Sequence, residues 1–226
     1  MSSITLSDLK TRARDQADMT DSDFIDDTEL TFYLNSSYTE LYDLLVSKFE
    51  DYYVAAPTSF TISSGASTYS LPSDFYKLRG VDYLLSGTDY VPLQKFNFAN
   101  RNQNTALHSM YRRVPKVSYR IVGNTLYIEP AANAPGSYRL WYTPAATLMS
   151  SDSDTVNGVN GWEEYIVVDT AIKMLAKEES STTQLERQRE RLLQRIDVMA
   201  QNRDYDQPES ITDVMPGSNY DGFERY

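Results

Sequence analysis

At 226 residues, 41% hydrophobic and 23% charged, the chain is long enough to bury a sizeable core and has an ordinary globular composition. It has no cysteine, which excludes disulfides and thiolate metal sites, no apolar run near the ~18 residues of a membrane span, and no secretion-signal pattern in Met1–Asp8. Charge is segregated: residues 1–56 carry 4 basic and 12 acidic groups, 57–150 carry 9 and 4, and 151–226 carry 8 and 16, within a net charge of −11.

The first predicted element is a short helix. Thr5 and Asp8 form a capping box, Ile4 and Leu9 a hydrophobic staple, and Leu6, Leu9, Ala13 and Ala17 follow at helical spacing. The run 18–23 then breaks the pattern with cap and turn formers. Its carboxylates read as helix caps. A calcium loop counted from Asp21 would put Ile25 in the third ligand slot and lacks the glycine of the sharp turn.

Residues Phe24–Tyr53 predict one long amphipathic helix, about 40 Å from end to end at ~1.5 Å per residue, on which the rest of the chain packs. Asp26 and Glu29 give the cap, Ile25 and Leu30 the staple. Leu30, Leu34, Leu41 and Leu45 mark the inner face, widened by Tyr38, Phe49 and Tyr52.

At Pro57 the period changes to alternation. Phe60 and Ile62, then Tyr69 and Leu71, flank a small-residue loop and read as a hairpin; 71–75 is a turn. A strand over 77–85 returns as 90–93, which Pro92 confines to an edge. The Asn-rich segment 96–108 reads as a loop with one helical turn. Residues 117–122 and 125–129 form a hairpin around Gly123–Asn124, and 137–142 supply a further strand.

Helix resumes at Asn160, whose side chain with Glu163 makes a third cap, and Trp162, Tyr165, Ile166, Val168, Ile172 and Leu175 form a broad apolar face. After a break at 180–183 a more polar helix, capped by Thr182 or Thr183, runs to about Arg203. Its narrow stripe of Leu185, Leu192, Leu193, Ile196 and Met199 suits either a neighbouring subunit or the periphery of the same monomer. The final stretch has no periodicity yet is rich in aromatics, and solvated tails are poor in them. Tyr205, Ile211, Met215, Tyr220 and Phe223 are its candidate anchors on a partner.

These segments predict an α+β protein: a helical bundle of about four helices with a small antiparallel β region inserted between the second and third helices, and an extended C-terminal tail. The units are an N-terminal helical hairpin (1–56), the inserted β region (57–150), C-terminal helices completing the bundle (151–204) and the tail (205–226).

Catalytic chemistry finds little support. His108 is the lone histidine and has no nucleophile or acid at a motif spacing; there is no phosphate-binding glycine loop, no paired metal ligand, and Val156 breaks the calcium-loop pattern begun at Asp152 and Asp154. No catalytic residue, cofactor or metal is expected. Arg112, Arg113, Lys116 and Arg120 form a basic cluster suited to an acidic partner surface, with nucleic-acid binding as the alternative reading.

Taken in order, the capped short helix, the Phe24-Ile25-Asp26-Asp27 turn, Leu34-Asn35, 41–45, Leu71-Pro72-Ser73-Asp74-Phe75, the 119–130 hairpin and Trp162-Glu163-Glu164-Tyr165 resemble the head-to-tail adaptor (connector) proteins of tailed bacteriophages, over roughly 6–203. The resemblance implies a non-enzymatic subunit of a dodecameric ring in the virion neck, assembled in the host cytoplasm. Its implied partners are copies of itself, the portal, a tail or nozzle protein, and genomic DNA passing without sequence-specific contact; no membrane is implied. The abundant tyrosines, 18 in all, and the sign change between segments suit such an assembly, the basic region of one subunit meeting the acidic helices of the next.

Overall fold

The computed structural model describes residues 3–20, 24–49, 51–100, 117–157 and 161–201. Among them the chain forms four helices, α1 (Leu6–Ala17), α2 (Asp27–Lys48), α3 (Glu163–Lys177) and α4 (Thr183–Gln201). Between α2 and α3 in chain order come strands β2 (Thr58–Ile62), β3 (Thr68–Ser70), β4 (Phe75–Ser86), β5 (Asp89–Pro92), β6 (Gln94–Lys95), β7 (Ser118–Val122), β8 (Thr125–Glu129) and β9 (Gly136–Pro144). The α+β class is as the sequence predicts.

The helix starts follow their caps. Thr5 Oγ1 accepts from the Asp8 N–H at 3.1 Å, and Asp26 Oδ1 accepts from the Glu29 N–H at 2.7 Å. Each satisfies one of the free donors of a first turn. Two further donors of α1, the N–H groups of Leu6 and Ser7, reach the carbonyls of Asp154 and Asp152 at 2.8 and 3.2 Å. They do so because β1 (Ser3–Thr5), just before α1, pairs antiparallel with β10 (Thr155–Asn157), just before α3. Neither strand was legible as such.

The expected 40 Å helix is shorter. It ends at Lys48, where Phe49 takes extended dihedrals (φ −135, ψ 102), so its 22 residues span about 33 Å. The rings beyond it fold back: Tyr53 stacks on Tyr42 with centroids 4.3 Å apart, and Tyr52 lies 5.9 Å from Trp162. That packing, gained only when the chain turns, outweighs continued helix. Nor is α2 the hub. In α3, Tyr165–Ile172 are all buried, as befits a helix packed on every side, here by α1, α2 and α4.

The third cap differs from expectation too. The residue before α3 is Trp162, with no side-chain cap bond; Asn160 is outside the described residues. In α4, Met199 is 50% exposed, and Ala200 one residue on takes the inner position with Leu185 and Ile196. The stripe packs within the monomer, on α3 and α2.

The β region is two sheets rather than one, ordered β2-β9-β4-β5 and β3-β8-β7-β6. The predicted 60–71 hairpin does not form: β2 pairs with β9, and β3 with β8. Phe60 and Tyr69 meet face to face across the core, ring centroids 4.0 Å apart, instead of side by side in one sheet. Phe60, Ile62, Val81, Leu126, Ile128, Tyr138 and Leu140 from the two sheets fill that core. The Gly123–Asn124 hairpin forms as read, with Gly123 at φ 57, and Pro92 does lie on an edge strand. One pair, β6 with β7, is parallel. The helical turn in the Asn-rich segment is a 3-10 turn at Phe98–Asn100; residues 101–116 are outside the described set.

Candidate interaction surfaces

Three constructions decide what the surface can do: a buried ionic centre that sets the helices, a polar seam that sets helices against sheets, and the apolar side chains left outside. The ionic centre is Asp169, 1% exposed in the middle of α3. It accepts from Ser37 Oγ of α2 at 2.7 Å, from Arg189 Nη1 of α4 at 2.7 Å, and pairs with Lys173 Nζ at 2.8 Å. Lys173 also reaches Glu40 at 3.2 Å. Burial by itself would push the Asp169 carboxyl up, but the hydrogen bonds from Lys173, Arg189 and Ser37 together outweigh it and hold the group below its ordinary value. A buried carboxylate so compensated is tolerated, and it fixes how three helices sit together. The signal was present: an aspartate between Val168 and Thr170 in an apolar helix.

The seam runs along α2 and on to Asp51 just past its end. Tyr42 Oη donates to the Pro144 carbonyl at 2.5 Å, Tyr76 Oη to Asp43 at 2.9 Å, and Arg79 to Asp51 at 2.5 Å. Asn35 uses both ends of its amide, donating to the Met149 carbonyl and accepting from the Met149 N–H, each at 2.9 Å. An asparagine inside a helix is otherwise unfavourable, and here it receives the chain as it returns from the β region. Burial, its largest cause, pushes the Tyr42 phenol well above the usual tyrosine value.

Beyond the seam a groove of about 310 Å³ is lined by Thr39, Tyr42, Asp43, Tyr76, Ala145 and Leu148, with Leu148 59% exposed at its rim. Phe32, on α2, is 69% exposed, and Phe24 51%.

Of the residues singled out from sequence, Arg120 is half-buried on β7, donating to the Phe96 carbonyl at 3.2 Å with its guanidinium 5.5 Å from the Phe98 ring centroid. Arg112, Arg113, Lys116, His108 and all five tail anchors are outside the described residues. Asp152 and Asp154 serve the fold: Asp152 takes Lys10 at 2.7 Å, and Asp154 accepts from the N–H groups of Ser150 and Ser151, whose hydrogen bonds lower its pKa. No helix among the described residues is long and apolar enough to cross a membrane.

Four helices and two sheets make up the described residues, and the polar centre of the bundle is spent on positioning helices. The family model described as SU10 adaptor protein matches residues 4–214, and the chain belongs to that family of phage head-to-tail adaptors. Membership carries a structural role in the virion neck and contact with portal and tail proteins. No curated protein matches the chain.

Proposed function

We propose that the chain is the repeating unit of a closed, dodecameric ring beneath the portal, which joins the capsid vertex to the tail and leaves a channel for DNA. The observation that carries this reading is the adaptor family match over residues 4–214, nearly the whole length. Residues 1–56 and 151–204 act as one helical body, 57–150 as an inserted β region, and 205–226 as a tail. Tyr205, Ile211, Met215, Tyr220 and Phe223 anchor the tail on the portal or an adjacent subunit. Arg112, Arg113, Lys116 and Arg120 face acidic helices of the neighbouring copy, and the acidic total keeps DNA from adhering to the channel. Assembly takes place in the host cytoplasm, from monomers that close into a ring when the portal templates them.

Native mass spectrometry of the purified chain, alone and with purified portal, tests this. The expected result is a monomer alone and a ring on the portal that weakens as salt is raised. A chain that stays monomeric on portal at low salt overturns the reading. Ring formation indifferent to salt leaves the ring and removes the electrostatic account of its register.

A further inference from the structure

The outward face of α4 carries Arg187, Arg191 and Arg195, spaced one turn apart and all exposed. Four residues after Arg187 and after Arg191, where a glutamate would support the helix, stands another arginine. Like charges so spaced disfavour an isolated helix. Glu186 and Glu190 form a second, acidic row on the flank, so the charges are sorted by sign rather than alternated. Met199, one turn beyond Arg195, is 50% exposed beside the arginine row.

A surface of the opposite sign lies where α1 ends, α2 begins and α3 ends. Arg14 of α1 donates to the Ile25 carbonyl at 3.0 Å and Asp27 at 2.9 Å; Lys177 of α3 donates to the Phe24 carbonyl at 3.3 Å and Glu29 at 2.6 Å. These bonds draw three helix ends together. Around them Asp15, Asp18, Asp26, Glu178 and Glu179 are exposed, with the Phe24 ring, 51% exposed, among them. Among the described residues no ion pair joins Arg187 or Arg191 to these carboxylates. Each surface thus sets a large apolar side chain beside an excess of charge of one sign, with the Lys177 ammonium 5.0 Å from the Phe24 ring centroid as the one cation against that ring among the described residues.

We propose that the arginine row of α4 in one copy receives the acidic helix-end surface of a second copy. The two surfaces are different parts of one chain, so the contact is head-to-tail and propagates, closing where its rotation permits. A nucleic-acid backbone fits the row less well. It is anionic along its length and would also meet the Glu186–Glu190 row, whereas a bounded acidic surface need not. The proposal rests on the self-association proposed above and adds a second pair of surfaces to the contact made there by the 112–120 cluster.

The test uses two full-length variants: Arg187→Glu/Arg191→Glu/Arg195→Glu, and Asp15→Lys/Glu178→Lys/Glu179→Lys. Oligomer formation on purified portal is read by native mass spectrometry, with circular dichroism melts to confirm folding. Each variant alone should associate at least about tenfold more weakly than wild type, because like charges then face each other. Their equimolar mixture should recover association, since row and helix end are complementary at every contact when the two alternate. Variants that associate like wild type overturn the proposal, as does a mixture that fails to recover. A wild-type chain that never associates overturns the ring reading itself. A gel shift in which the arginine variant loses duplex DNA bound by wild type, with association unchanged, reassigns the row to phosphate and also overturns the proposal.

Discussion

Arg189 Nη1 donates to Asp169 Oδ1 at 2.7 Å, so the polar outermost helix is tied to a carboxylate at the centre of the bundle. Asp169→Asn takes from Arg189 its anion at the centre of the bundle and leaves Lys173 to Glu40. It should destabilise the fold by about 3–5 kcal/mol, as breaking a buried pair does. Arg189→Gln should cost only about 1 kcal/mol, because that side chain is 36% exposed and Lys173 and Ser37 remain on the carboxylate. Denaturant unfolding of the two variants measures the difference.

The pH dependence follows from two opposite shifts. Asp169 titrates below its ordinary 3.8, so its contribution is complete above that value and is lost as pH falls through the lower, folded one. Tyr42, Tyr138 and Tyr165 are pushed up, chiefly by burial, from an ordinary 10.0. Above about pH 10 the unfolded chain releases protons that the folded chain retains, and stability falls. Denaturation midpoints should therefore decline at both extremes. In Asp169→Asn the acid limb should flatten, and in wild type the tyrosinate absorbance of these buried rings should rise together with unfolding rather than before it.

Leu41, 3% exposed, lies on the inner face of α2. Leu41→Asp adds an unpaired charge to the ~2–5 kcal/mol that truncating a buried leucine already costs, so the variant should be largely unfolded at 37 °C. A circular dichroism melt indistinguishable from wild type would contradict the packing of α2.

Deletion after Asp204 should leave the melting temperature nearly unchanged and weaken attachment to the portal, if the tail anchors act between chains. Differential scanning calorimetry and portal co-sedimentation separate the outcomes. A large drop in melting temperature places the tail on its own monomer, and no change in either places it in solvent.

What was legible in the sequence was local. Asp26, Thr5 and the Gly123–Asn124 pair each act through neighbours a few residues away, and they set helix starts and a hairpin as read. Long-range choices were not legible. Nothing near Phe60 says that its strand will pair with residues 136–140 rather than 68–70, because both offer the same alternation. The end of α2 was misread for a related reason: Phe49 and Tyr52 fit a helical stripe equally well after the chain has turned back. Tyrosine count also has a second meaning. Tyr42, Tyr52, Tyr119, Tyr138, Tyr142 and Tyr165 are buried within the monomer, so much of the aromatic content builds the interior.

The Ala55 N–H donates to the Tyr142 carbonyl at 3.2 Å, so the chain enters and leaves the β region side by side. The sheets are therefore a closed excursion from the helical body. Just beyond that point Tyr42 Oη holds the Pro144 carbonyl and Asn35 holds Met149, so the outgoing and returning strands are clasped on α2 at one place. Residues added to a loop of the sheets remote from that clasp, such as 63–67, are therefore expected to leave the packing of α1, α2 and α3 in place.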